Sequence, residues 1–82
     1  MGIEFRHLRA FLVLGNELHF GRAADQLRIA QPALSKTIQQ LETEIGTPLL
    51  LRSTRKVELT EAGKIFLQEI SGVAGQVDLA IS

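Results

Sequence analysis

The sequence predicts a mainly α fold in which three helices precede a two-stranded hairpin and one long helix closes the chain. Three observations carry that reading. Residues 23–42 hold two short helical stretches joined by a three-residue turn, the apolar period shifts from helical to strand-like after Pro48, and from Phe66 onward apolar residues recur at spacings of four and three.

The first helix is expected from about Glu4 to Glu17, because Phe5, Leu8, Phe11, Leu12 and then Gly15 recur at three- and four-residue spacings and turn one stripe toward a core. Gly15-Asn16 weakens its last turn. The second helix begins near His19 or Phe20 and runs through Arg22, Ala23, Ala24 and Leu27, with two adjacent alanines that let another helix approach closely. Arg28-Ile29-Ala30 is the turn. Pro32 then stands in the first turn of a third helix, where its missing N–H leaves no helical bond unmade. Gly46 suits the end of that helix, and Pro48 follows.

Beyond Pro48, Leu49-Leu50-Leu51 is a short apolar run, and Val57-Glu58-Leu59 alternates as a half-buried strand does. The basic turn from Arg52 to Lys56 separates them, so the two strands form a hairpin. Thr60 is expected to cap the last helix, with Glu61 in the first turn, where the helix dipole favours a carboxylate. In that helix Phe66, Ile70, Val73, Val77 and Ala80 form a heptad seam, the mark of helix pairing. Gly63, Gly72 and Gly75 each cost about 1 kcal/mol against Ala, a loss that a partner helix on the seam would offset. The sequence stops at Ile81-Ser82 without a C-cap signal, as a chain cut within a helix does. The expected architecture is a winged helix-turn-helix over residues 1–59, the hairpin being its wing, followed by a linker or dimerisation helix over residues 60–82.

Eighty-two residues make one small domain, near the lower size at which a single core holds without staples. The chain has no cysteine, which excludes disulfides and thiolate metal sites, and its 45% hydrophobic content without Trp or Tyr points to aliphatic packing. It has no apolar run long enough to span a bilayer and no leader-like N-terminus, so the expected location is the cytoplasm, away from any membrane. Nine Lys and Arg balance nine Asp and Glu, which argues against a nucleic-acid binder only if whole-chain charge decides. The distribution is uneven. Arg52, Arg55 and Lys56 cluster in the hairpin turn, while Glu42, Glu44, Glu58, Glu61, Glu69 and Asp78 crowd the second half of the chain.

On the third helix, at about 100° per residue, Leu34, Ile38, Leu41 and Ile45 fall on one side and form a buried stripe. Pro32, Lys36, Gln39, Gln40 and Thr43 lie opposite, with Gln31 and Ser35 on the flank. Lysine can bond the acceptors of a guanine edge, glutamine can pair with adenine, serine can donate or accept, and Pro32 and Ala33 can touch a thymine methyl. Taken alone, one amphipathic helix reads as an ordinary solvated surface. The order of Ala-Ala helix, turn and basic hairpin shifts the reading to DNA, with the second helix of a helix-turn-helix in the major groove. Arg52, Arg55 and Lys56 then fit phosphate or minor-groove contact, Arg22 is open between phosphate contact and plain surface, and Arg6, Arg9 and Arg28 read as surface charge. His7 and His19 lack metal-ligand spacing and read as structural or surface residues, His19 at a helix start. With no nucleophile elbow, phosphate loop or paired carboxylates, an enzyme is not expected.

The chain resembles the N-terminal DNA-binding domain of LysR-type transcriptional regulators. The resemblance runs from Phe5-Arg6-His7-Leu8-Arg9-Ala10-Phe11 through His19-Phe20-Gly21-Arg22-Ala23-Ala24-Asp25-Gln26-Leu27 and Ala30-Gln31-Pro32-Ala33-Leu34-Ser35-Lys36 to Leu41-Glu42, Gly46, Pro48-Leu49-Leu50 and Leu59-Thr60-Glu61-Ala62-Gly63. It implies a dimer that binds double-stranded DNA at an imperfect inverted repeat near a promoter. Gln31, Pro32, Ser35 and Lys36 then read bases, Arg52 and Arg55 meet the backbone or minor groove, and the last helices of two chains pair antiparallel through Phe66, Ile70, Val73 and Val77. Family members are several-fold longer and carry a C-terminal effector-binding domain, which implies a small-molecule effector for the full-length protein, no cofactor in this domain, and dimers that can associate into tetramers. Four positions depart from the family pattern: Ala30 replaces a frequent serine cap, Lys36 a common arginine, Leu50 a frequent phenylalanine, and His19 a frequent serine. The alternative reading is a winged helix that serves as a protein-interaction or dimerisation module without DNA, supported by zero net charge and the seam of the last helix.

Overall fold

The computed structural model describes residues 2–52 and 56–77, in the order α1 (Phe5–Glu17), α2 (Phe20–Leu27), α3 (Gln31–Ile45), β1 (Leu50–Arg52), β2 (Val57–Leu59) and α4 (Glu61–Val77). The three N-terminal helices meet around Phe11, Leu14, Leu34, Ile38, Leu41 and Leu49, which are fully buried. Ala23 and Ala24 complete that core from α2, and their small side chains let α2 lie close to α1 and α3.

The buried stripe of α1 is rotated from the one expected. His7, Ala10, Phe11, Leu14 and Gly15 face inward, Leu8 and Leu12 are half-buried, and Phe5 is 53% exposed. The physical reason lies in the neighbours. In the last turn of α1, Gly15 faces the Leu67 side chain of α4, which a Cβ there would approach to 3.0 Å. Phe11 and Gly15 face inward as the periodicity expects, whereas His7 and Ala10, which a ranking by hydrophobicity weights little, take the place of Phe5 and Leu8.

The helix-turn-helix forms as expected. Arg28, in the left-handed conformation, ends α2, and Ile29 donates back to the Ala24 carbonyl at 3.1 Å. Ala30 caps α3 without a side-chain bond, and Gly46, at φ 91°, closes it. Leu34, Ile38 and Leu41 are buried, with Ile45 half-buried at the end of the stripe.

The hairpin pairs Leu50 with Leu59, Leu51 with Glu58 and Arg52 with Val57 in antiparallel register. Its first strand starts one residue later than the apolar run, because Leu49 serves another purpose. The Leu49 amide donates to the Glu42 carboxylate at 2.8 Å, and its carbonyl accepts from Thr60 at 3.0 Å. Thr60 caps α4 as expected: its hydroxyl accepts from the Gly63 amide and donates to the Pro48 carbonyl.

The first turns of α4 pack on the domain itself. Phe66 lies against Phe11 with ring centroids 5.6 Å apart, and Leu67 and Ile70 cover the same core. Two positions of the expected seam are thereby half-buried within the chain itself. Phe66 and Ile70 face an intramolecular partner, since a heptad pattern specifies that an apolar surface covers it but not which chain supplies that surface. The side chains of Val73 and Val77, and all of Ala80, lie outside the described residues. Among the described residues no helix is long and apolar enough to cross a membrane.

Candidate nucleic-acid interface

The N-terminal half of α3 presents the four expected base-reading residues. Gln31, Pro32 and Lys36 are exposed and Ser35 is half-buried. Gln31, Pro32 and Ser35 line a shallow hollow of about 460 Å³ together with Phe20, the first residue of α2. Phe20 was not among the expected site residues, because it stands at the far end of α2 from the turn and no local pattern connects it to α3. A Cβ on Gly21 would approach His19 Cε1 to 3.1 Å, so this glycine leaves room for the capping imidazole, while Gln31 Oε1 at 3.8 Å would be in ordinary contact.

Lys36 opens onto the other flank of α3. There it lines a cleft of about 470 Å³ with Gln39, Gln40 and Thr43 on its own helix and with Glu4, Arg6 and His7 at the start of α1. The contents of this cleft depart from the sequence reading. Gln40, expected on the outer side, is half-buried, and its side-chain oxygen accepts from Arg6 Nη1 at 3.4 Å and meets His7 Nε2 at 3.3 Å. His7 is buried at 3% exposure, and its Nδ1 accepts the Glu4 amide at 2.9 Å, so the ring proton is assigned to Nε2. Arg6 also donates through Nε to the Glu4 carboxylate at 2.9 Å. That hydrogen bond, and then the charge behind it, hold the Glu4 carboxyl below its ordinary range.

At the start of α2, His19 accepts the Arg22 amide through Nδ1 at 3.0 Å, replacing the serine cap with an imidazole. Arg22 donates through Nε to Glu17 at 3.0 Å while its side chain stays largely exposed. Gln26 bonds the other Glu17 oxygen. Hydrogen bonds from Arg22 and then Gln26 hold the Glu17 carboxyl below its ordinary range. Arg22 is thus oriented by a carboxylate that engages only its Nε. In the wing, Lys56 is exposed and lies 3.5 Å from the Glu58 carboxylate. Arg52 ends β1, Arg55 lies outside the described residues, and nothing further is assigned to either side chain.

An exposed polar helix end, mounted second in a helix-turn-helix with Lys36 and Arg6 along one flank, is an arrangement for lying along a charged, grooved surface. Residues 5–64 match the sequence pattern of bacterial regulatory helix-turn-helix proteins of the lysR family. The chain belongs to this family. The lysR-family domain is 54% identical over 78 residues to the HTH-type transcriptional regulator YnfL of Escherichia coli strain K12, covering 95% of this chain and 26% of that protein. It is 47% identical to the probable cat1 operon transcriptional activator of Acinetobacter lwoffii, over 93% of this chain and 25% of that one. It therefore spans about a quarter of the length of these two relatives. Among solved structures, the domain superposes on the BenM DNA-binding domain in complex with catB site 1 DNA with a TM-score of 0.88 and 44% identity, covering 96% of this chain and 88% of that one. Vibrio fischeri DarR in complex with DNA is similar over 99% of this chain and 28% of its own, with a TM-score of 0.86 and 34% identity.

Proposed function

We propose that this lysR-family chain is the DNA-reading part of a bacterial transcriptional regulator, which binds an imperfect inverted repeat near a promoter as a dimer. The observation that carries this reading is α3, sealed on one side by Leu34, Ile38 and Leu41 and offering Gln31, Pro32, Ser35 and Lys36 on the other. The complexes of BenM and DarR with DNA support it, since both proteins share this fold. In the proposed complex those four residues meet base edges, while Arg22, Arg52, Arg55 and Lys56 meet the backbone. The full-length protein acts in the cytoplasm and takes a small-molecule effector in a separate C-terminal domain.

Selection from a random duplex pool, followed by titration of selected and scrambled duplexes, tests the reading. Lys36→Ala should reduce discrimination by about five- to a hundredfold, the range of one good base contact. Arg55→Ala should weaken both duplexes alike, because phosphate contacts carry no sequence information. Absence of duplex binding at low salt would reject DNA reading, and equal losses on both duplexes for Lys36→Ala would remove that residue from the base-reading set.

A further inference from the structure

The cleft beside Lys36 holds an arginine whose partners leave most of its donors unused. Arg6 gives Nε to Glu4 and Nη1 to Gln40, which accounts for two of the five guanidinium N–H groups. Its side chain and that of Glu4 are each 57% exposed. The pair is therefore an exposed one, and such pairs exchange partners at small cost.

Position gives that arginine a use. A helix with its side chains is about 10–12 Å across and the major groove about 12 Å wide, so a helix lying in the groove brings the groups beside it to the phosphates on the walls. Lys36 and Arg6 line one cleft, Lys36 on the recognition helix and Arg6 on the element next to it. We infer that Arg6 is a phosphate ligand on the α1 flank of the recognition helix, and that Glu4 is the intramolecular carboxylate it exchanges for that phosphate. The inference rests on α3 entering the major groove, as proposed above.

The surroundings fit this exchange. Gln40 is held by both Arg6 and His7, and His7 is tied in turn to the Glu4 amide, so the arginine keeps one fixed support when the carboxylate is displaced. The other carboxylate of the cleft, Glu44, lies two helical turns beyond Lys36 and has no contact with Arg6 among the described residues. A planar fork of donors suits a phosphate oxygen pair in a way that a lysine at position 6 would not.

The test compares salt dependence of duplex binding for the whole chain, with far-UV circular dichroism and thermal unfolding confirming that each variant is folded. Arg6→Gln should make the slope of log K against log salt shallower by about 0.9, the loss of one phosphate contact. It should weaken selected and scrambled duplexes by the same factor. Glu4→Gln should tighten both duplexes at low salt, and the double variant Glu4→Gln/Arg6→Gln should lose that gain. Arg6→Lys should restore the slope without restoring full affinity. A wild-type slope in Arg6→Gln would overturn the inference, as would a Glu4→Gln gain that survives in the double variant. Absence of binding by the unaltered chain would instead reject the DNA reading itself, and this inference with it.

Discussion

Two glycines of one helix show how the same residue type answers to opposite demands. A Cβ at Gly63 would lie 2.1 Å from the Leu49 carbonyl oxygen, a backbone atom that cannot move aside without shifting the strand behind it. A Cβ at Gly72 would meet nothing within 4 Å. Helix propensity favours alanine at both by about 1 kcal/mol, so sterics decide the sign. Gly63→Ala should destabilise the domain by about 1–3 kcal/mol, the range for overpacking, whereas Gly72→Ala should stabilise it by up to about 1 kcal/mol. Urea unfolding of the two variants checks the pair, and a neutral Gly63→Ala would show that α4 can retreat from Leu49. In the sequence both glycines read alike, as helix weaknesses, because the contact that separates them comes from a residue fourteen positions upstream of Gly63.

At the scale of elements, a side chain of the recognition helix helps hold the start of the wing. The Glu42 carboxylate, on the last turn of α3, accepts the amides of Leu49 at 2.8 Å and Leu50 at 3.2 Å. Both leucines are buried, so water cannot replace that acceptor. Glu42→Ala should destabilise by about 1.5–3 kcal/mol and speed amide exchange at Leu49 and Leu50, while Glu42→Gln, which keeps an acceptor, should lose less. Unchanged exchange at those amides in Glu42→Ala would show that β1 holds its place without α3. The hairpin itself was legible from the apolar run, the basic turn and the alternation of Val57 to Leu59. The fastening was not, since a glutamate near a helix end reads equally well as surface charge.

Across the whole molecule, α4 has two uses along its length. Its first turns cover the core of the domain through Phe66, Leu67 and Ile70, and the seam Phe66, Ile70, Val73 and Val77 is proposed to meet a second chain, with Val73 and Val77 at its far end. Phe66→Ala should therefore lower the stability of the domain itself, by about 2–4 kcal/mol for a half-buried phenylalanine tilted against Phe11. Val73→Lys with Val77→Lys should separate dimers in sedimentation experiments while leaving the domain folded. Dimers that persist in the double variant would move the interface elsewhere.

Most of the elements could be read from local sequence. Pro32 and Gly46 bracket α3, Thr60 starts α4, and the spacing of Leu34, Ile38 and Leu41 turns Gln31, Pro32, Ser35 and Lys36 outward, because caps, turns and helical faces depend on residues a few positions apart. The tertiary structure decided what each face meets. It buried His7 and Ala10 of α1 where periodicity had put Phe5 and Leu8, gave Phe66 and Ile70 a partner within the chain, and joined Arg6 and His7 to Gln40 across more than thirty residues. Those pairings depend on the path of the chain through space, which sets distances between positions that no local pattern connects.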